Sequence, residues 1–225
     1  MTTSSAYSAS DGAAYQVFLG RWTRALSERM VEFARFPEGP LLDVGCGTGS
    51  LAAAMATRGP AVGVDVAVPY VSYANEHAAG PRFVAGEASR LPFADGAFAG
   101  AAAQLVLNFV GDPVAAVKEM RRVTRKGGVI IACVWDFRGG LIFQRMLWDT
   151  AAGIDPAAAA VRDRLFSAPL ALPDGLPALF GRAGIATVET ASLTVRMDYT
   201  SFADYWEPLL GGQGPVGTYT KVTLL

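Results

Sequence analysis

Residues 41–50 read LLDVGCGTGS, a short apolar run that meets glycines at 45, 47 and 49 with no spacer. A run that short and that apolar reads as a strand buried on both faces. Glycine reaches backbone conformations closed to other residues, so the loop can turn sharply and let a ligand approach the main chain. Residues 48–58 follow with Leu51, Ala52, Met55 and Ala56 on one helical face. Strand, glycine loop and helix open a βαβ unit, and that commits the chain to a sheet with parallel neighbours.

The alternation is sustained. Residues 61–65 (AVGVD), 82–86 (RFVAG), 100–107 and 128–135 (GVIIACVW) read as four further strands, with helices at 69–79 and 113–124. Gly59-Pro60 and Gly80-Pro81 stop helices, Asp112-Pro113 starts one, and Lys126-Gly127-Gly128 turns the chain. Apolar residues at 15, 18, 22, 25, 26, 30 and 33 predict a helix over 15–36, after a loose start at 1–13. Beyond 135 come helices at 141–153, 157–166 and 175–183. Period-two alternation over 185–199 then predicts a sixth strand. TYTKVTLL at 218–225 is the only β-prone stretch left. The fold class is α/β, a doubly wound, Rossmann-like and mostly parallel sheet with a helical insertion after strand five. Ligands on such sheets bind beyond the carboxyl ends of the strands, here just after 44, 64, 86, 107 and 135.

Composition narrows the function classes. The 225 residues are 52% hydrophobic and 17% charged, which excludes a disordered chain and fits a single domain. Nineteen basic residues against twenty acidic ones leave no basic excess for nucleic acid. MTTSSAYSAS has neither basic nor apolar leader character. The uncharged stretch at 97–110 is shorter than the about 20 residues a membrane helix needs. The expectation is a cytoplasmic protein with no membrane or nucleic-acid partner. Two cysteines, Cys46 and Cys133, and one histidine, His77, make neither a disulfide framework nor a zinc site.

Glycines at 45, 47 and 49 do not fit the dinucleotide spacing G-x-G-x-x-G, whose third place falls on Ser50, and no P-loop occurs. Asp65 closes the second strand, where a carboxylate can accept both hydroxyls of a ribose or cap the next helix. Glu87 follows the third strand and can meet an adenine amino group or stand in solvent.

LLDVGCGTGSLA, GVDVAVPYV, GEASRLPFADGAF and EMRRVTRKGGVIIACVW, in this order and spacing, resemble the class I S-adenosylmethionine-dependent methyltransferases of the methyltransferase type 11 group. The resemblance covers roughly residues 12–198, and YQVFLGRWTRAL looks like the N-terminal helix of one bacterial subgroup. It implies a lid helix at 14–36, a cofactor-binding core at 40–137 and a substrate cap made of 138–184 and 200–225. It implies that Asp43, Gly45, Cys46 and Gly47 surround the methionine part of S-adenosyl-L-methionine. Asp65 would hold the ribose, Val66 and Tyr70 would flank the adenine, and Glu87 and Ala88 would read its edge. Gln104 and Leu105 would line the sulfonium and the substrate entrance. Tyr15 and Arg21 would close over the amino-acid end, with Arg21 either pairing with the cofactor carboxylate or standing in solvent.

Asn108, Trp135, Tyr205 and Trp206 are substrate-pocket candidates by position, the aromatic ones being as often plain core. No catalytic residue is nominated, and His77 lies in the second helix, away from the strand ends. Phe98-Ala99 lacks the acidic residue often found there, and Asn108-Phe109-Val110-Gly111 does not match the asparagine-proline-proline-aromatic motif of base methylation. A lysine–aspartate–lysine–glutamate set for ribose methylation cannot be assembled either. The aromatic, lysine-poor segments after residue 137 favour a small, partly apolar methyl acceptor.

Two other classes stay open. A nicotinamide-dependent oxidoreductase explains the sheet, the glycines and Asp65, but not Glu87, and no Tyr-x-x-x-Lys pair is present. A non-catalytic cofactor-binding protein would keep 43–88 and lose the acceptor pocket. The resemblance implies a seven-stranded sheet whose last strand returns antiparallel between the fifth and sixth. No convincing seventh strand follows 185–199, so the expectation is a missing strand seven, a gap between strands five and six, and self-association through it.

Overall fold

Five parallel strands make one sheet in the order β3-β2-β1-β4-β5, in a computed structural model that describes residues 11–223. They are β1 (Leu41–Val44), β2 (Ala61–Asp65), β3 (Arg82–Ala85), β4 (Phe98–Gln104) and β5 (Thr124–Cys133). The order reverses between β1 and β4, which places the ligand-binding crevice at their carboxyl ends.

Successive side chains of a strand serve opposite faces. Leu42, Val44, Ala101 and Ala103 pack with Ala116, Val117 and Met120 of α5 (Pro113–Val123). Leu41 and Ala102 pack on the other side with Met30, Leu51 and Met55, from α2 (Arg21–Ala34) and α3 (Ser50–Met55). β4 (FAGAAAQ) is alanine-rich and buried from Phe98 to Ala103 because it lies inside the sheet between two helix layers. It ends at Gln104 because Leu105 turns to φ +61. β5 starts at Thr124, earlier than the sequence predicts. Gly127, at φ +76, lies inside the strand near its register shift against Phe98 and Gly100 and does not turn the chain back.

The helix predicted over 15–36 is three joined pieces: α1 (Gly12–Tyr15), a π-helical turn (Gln16–Gly20) and α2. Asp11 caps α1 by accepting from the amides of Ala13 and Ala14 at 2.9 and 3.1 Å. α4 (Val68–His77) follows β2. After β5 come α6 (Ile142–Ala152), α7 (Pro156–Ser167) and α8 (Gly175–Arg182). The remaining helices are α9 (Phe202–Trp206) and α10 (Gly214–Thr223).

Two expectations are corrected. Residues 185–199 form no strand: they run irregularly and pair with no strand of the sheet. Their alternation is real in burial, since Leu193, Val195, Met197 and Tyr199 are half-buried between exposed neighbours. Residues 218–223 are helical, and positions 224 and 225 of that stretch lie outside the described residues. Thr220 is buried there and donates to the carbonyls of Leu209 and Gly217 at 3.1 and 3.2 Å, a tertiary fit that overrides β propensity. Among the described residues no helix is long and apolar enough to cross a membrane.

Candidate functional site

The glycine loop is fixed from two directions. Gly45, Gly47 and Gly49 sit at φ +72, +52 and +90, in the left-handed region that disfavours a side chain. A Cβ on Gly45 would collide with Val106, whereas one on Gly47 would meet only the Tyr70 ring at 3.8 Å, so the space before Gly47 is open. The loop amides are already engaged. Gly45 and Cys46 donate to the Val64 carbonyl at 2.7 and 3.0 Å, Gly49 donates to the Cys46 carbonyl at 2.9 Å, and Gly47 donates to Asp65 Oδ2 at 2.8 Å. A pyrophosphate cradle needs such amides free.

Gly49 starts α3 with no side chain to cap it, and Asp43 caps it from the strand. Its Oδ2 accepts from the Ala52 amide at 2.9 Å, while Oδ1 is buried without a hydrogen-bond partner. Burial pushes the Asp43 carboxyl up to about 8. Asp65 accepts through both oxygens, Oδ1 from the Ala67 amide at 2.8 Å, and burial raises its carboxyl above the ordinary range. It therefore joins the glycine loop to the start of α4.

A cavity of about 460 Å³ opens at these strand ends, within the usual size of small-molecule sites. Of the residues singled out in the sequence, Tyr15, Gly45, Gly47, Asp65, Val66, Tyr70, Glu87, Ala88, Gln104, Leu105 and Trp135 line it. Gln104 is held from α2: its Oε1 accepts from Ser27 at 3.0 Å and its Nε2 donates to the Thr23 carbonyl at 3.1 Å. Tyr15 packs on Tyr70 with ring centroids 5.4 Å apart, and burial raises its phenol.

Other candidates lie elsewhere. Arg21 pairs with Asp204 at 2.9 Å and lies over the rings of Trp22 and Tyr199, outside the cavity. The Cys46 side chain turns into the cluster of Ala52, Val71, Ala74 and Phe83, where burial raises its thiol. Asn108 is not in the lining, and its amide is buried without a partner. Tyr205 and Trp206 belong to the apolar cluster around Trp148 and Leu209, and Tyr205 donates to the Phe143 carbonyl at 3.2 Å. His77 stacks on Tyr73 at 4.0 Å, away from the cavity.

The structure adds walls that the sequence reading missed. Phe18 and Leu19 come from the π-helical turn, Phe109 and Val110 follow β4, and Phe137 and Gln144 follow β5. Gly214, Pro215 and Val216 at the start of α10 also line it. Phe18 carried a signal, one helical turn after Tyr15; Gln144 and the α10 residues carried none. Among the described residues no group of His, Cys, Asp and Glu converges to hold a metal ion.

The features that would receive S-adenosylmethionine are present: an open approach at Gly47, a carboxylate after β2, an acidic residue after β3, and the orphaned Asp43 oxygen beneath the loop. The family profile described as "Methyltransferase domain" matches residues 42–132. A demethylmenaquinone methyltransferase of Mycolicibacterium vanbaalenii is 31% identical over 202 residues, covering 89% of this chain and 83% of that protein. A malonyl-[acyl-carrier protein] O-methyltransferase of Serratia marcescens is 34% identical over 110 residues, 48% of this chain and 43% of that protein. The chain spans about half the length of the first curated relatives it matches, 57% and 45%. A Methanococcus maripaludis structure described as an S-adenosyl-L-methionine-dependent methyltransferase shares the fold. Its TM-score is 0.57 at 15% identity, covering 77% of this chain and 80% of that one. The fold, the strand-end cavity and the relative that spans most of both chains agree, and the chain belongs to the class I S-adenosylmethionine-dependent methyltransferases.

Proposed function

We propose that this chain transfers a methyl group from S-adenosylmethionine to a small, uncharged acceptor. One observation carries the reading: the glycine-loop crevice and an apolar chamber are parts of a single cavity. Asp65 would take the ribose hydroxyls on the lone pairs its two amide contacts leave open. Glu87 and Ala88 would meet the adenine edge, with Val66 and Tyr70 beside it. Gly45 and Gly47 would give the amino-acid part room along the main chain, with Asp43 and Cys46 behind the loop and Tyr15, Gln104 and Leu105 around it. Lid helix, core and the cap of 138–184 and 200–225 would work as one unit.

When bound, the cofactor supplies a methyl group on a positively charged sulfur, activated for displacement by an aligned nucleophile. The chain's own part is alignment and exclusion of water, worth about 7–11 kcal/mol when geometry is well set. The titratable side chains in the lining are Tyr15, Asp65, Tyr70 and Glu87; no lysine, arginine or histidine is among them. Burial keeps the proton on Tyr15, which makes its phenol a poor base. An acceptor that enters neutral and releases its proton to water at the cavity mouth as the methyl group is transferred fits this lining. A carboxylate or phosphate on the acceptor would find no cationic side chain to pair with.

Two measurements test the reading. S-adenosylhomocysteine should bind by calorimetry while NAD does not, because the loop amides are engaged by Val64, Asp65 and Cys46. Labelled methyl should then pass to members of a panel of small phenols and enols. Binding with no turnover across such a panel would favour a non-catalytic cofactor-binding protein.

A further inference from the structure

The chamber beyond the glycine loop is walled by Phe18, Phe109, Trp135, Phe137 and Val216, and Gln144 is set among them. Gln144 is the third residue of α6 and is only 7% exposed. Among the described residues its amide has no hydrogen-bond partner, yet it is not sealed off as the Asn108 amide is. The cavity is the open space it lines. Two other glutamine amides are satisfied: the half-buried Gln104 by Ser27 and Thr23, and the buried Gln213 by the Tyr70 hydroxyl and the Gly211 carbonyl. A buried amide unpaired within the protein is costly unless water or a ligand in the cavity completes it, so this one is available to a polar group on whatever enters.

We propose that Gln144 determines acceptor specificity by hydrogen-bonding the hydroxyl of a neutral hydroxyaromatic acceptor that packs against Trp135, Phe137 and Phe18. The aromatic walls suit a planar ring. The amide offers both a donor and an acceptor to one oxygen, and the lack of a basic side chain disfavours carboxylates and phosphates. The inference rests on the methyltransferase reading of the same cavity.

The test uses the full chain saturated with S-adenosylhomocysteine and titrated with 1-naphthol, naphthalene and 1-naphthoate. Wild type should bind 1-naphthol more tightly than the other two. Gln144→Leu and Gln144→Met should weaken 1-naphthol by about fivefold to tenfold, the worth of one neutral hydrogen bond. Both should leave naphthalene and S-adenosylhomocysteine affinities unchanged. If either variant fails to fold, the other and the wild-type preference still decide. Equal binding of 1-naphthol and naphthalene by wild type, no loss in the variants, or preference for 1-naphthoate overturns the assignment. Failure of S-adenosylhomocysteine to bind wild type would instead overturn the methyltransferase reading beneath it.

Discussion

The Gly47 amide donates to Asp65 Oδ2 at 2.8 Å across eighteen positions of sequence. This bond makes the carboxylate after β2 a structural part of the loop after β1, with Ala67 held on its other oxygen. The crevice is therefore set before any ligand arrives. The two readings of Asp65 drawn from the sequence, ribose ligand or local cap, are compatible in one side chain.

Asp65→Ala should accordingly cost binding and stability together. Two part-buried amides lose their acceptor, worth about 1–3 kcal/mol of unfolding free energy. S-adenosylhomocysteine affinity should fall at least about tenfold, since charged hydrogen bonds to the ribose would be lost. Calorimetry and urea unfolding on one variant check both, and an unchanged stability would contradict the loop-bracing role.

Asp43 gives a pH signature. Its carboxyl is pushed up to about 8 in the folded chain by burial, against an ordinary value of about 3.9 when unfolded. Between these values the folded state holds a proton that the unfolded state has lost. Stability from this group is thus full below about pH 4 and declines as pH rises towards 8. Burial acts on Asp65 in the same direction, while Glu119, Asp155 and Asp204 are lowered and act oppositely in acid. Asp43→Asn keeps an acceptor for Ala52 and removes the titration. Urea unfolding at several pH values should show wild type losing stability relative to the variant between pH 5 and 8. Parallel profiles would rule this out.

The residues at the glycine-loop end of the cavity were readable because each stands at the carboxyl end of a strand: Gly45 after β1, Asp65 closing β2, Glu87 shortly after β3. The far walls were not, because they come from chain segments with no common period. Gln144, Phe137 and Val216 reach the cavity from different elements, and no local pattern marks them. Residues 185–199 misled because alternation reports one-sided burial and not a pairing partner. Threonine, tyrosine and valine at 218–222 misled because Thr220 and Val216 find a buried helical fit. Leu105 at φ +61 has no local sequence cue; a bulky residue in that conformation is strained and sits where β4 meets the cavity.

Tyr70→Phe should loosen α10. The Tyr70 hydroxyl donates to Gln213 Oε1 at 2.9 Å, and both residues are buried. Removing the hydroxyl leaves a buried amide oxygen short of a donor, costing about 1–3 kcal/mol. Hydrogen exchange should speed up in residues 214–223 more than in β1 or β4. Uniform exchange across the chain would show that this bond does not hold the C-terminal helix over the cavity.

Arg21→Ala separates the family-based expectation from the observed geometry. An arginine bound to the cofactor carboxylate would cost affinity when removed. In the structure its guanidinium instead pairs with Asp204 at 2.9 Å and covers Trp22 and Tyr199 at 4.5 and 5.3 Å from their ring centroids. It thus ties α2 to α9. The pair is partly exposed, with side chains 37% and 23% accessible, so solvent screening makes it a weak contributor to stability. The variant should bind S-adenosylhomocysteine as wild type does and unfold in urea close to wild type. Exchange should speed up locally around residues 199–206. A tenfold fall in cofactor affinity with exchange around residues 199–206 unchanged would return Arg21 to the cofactor.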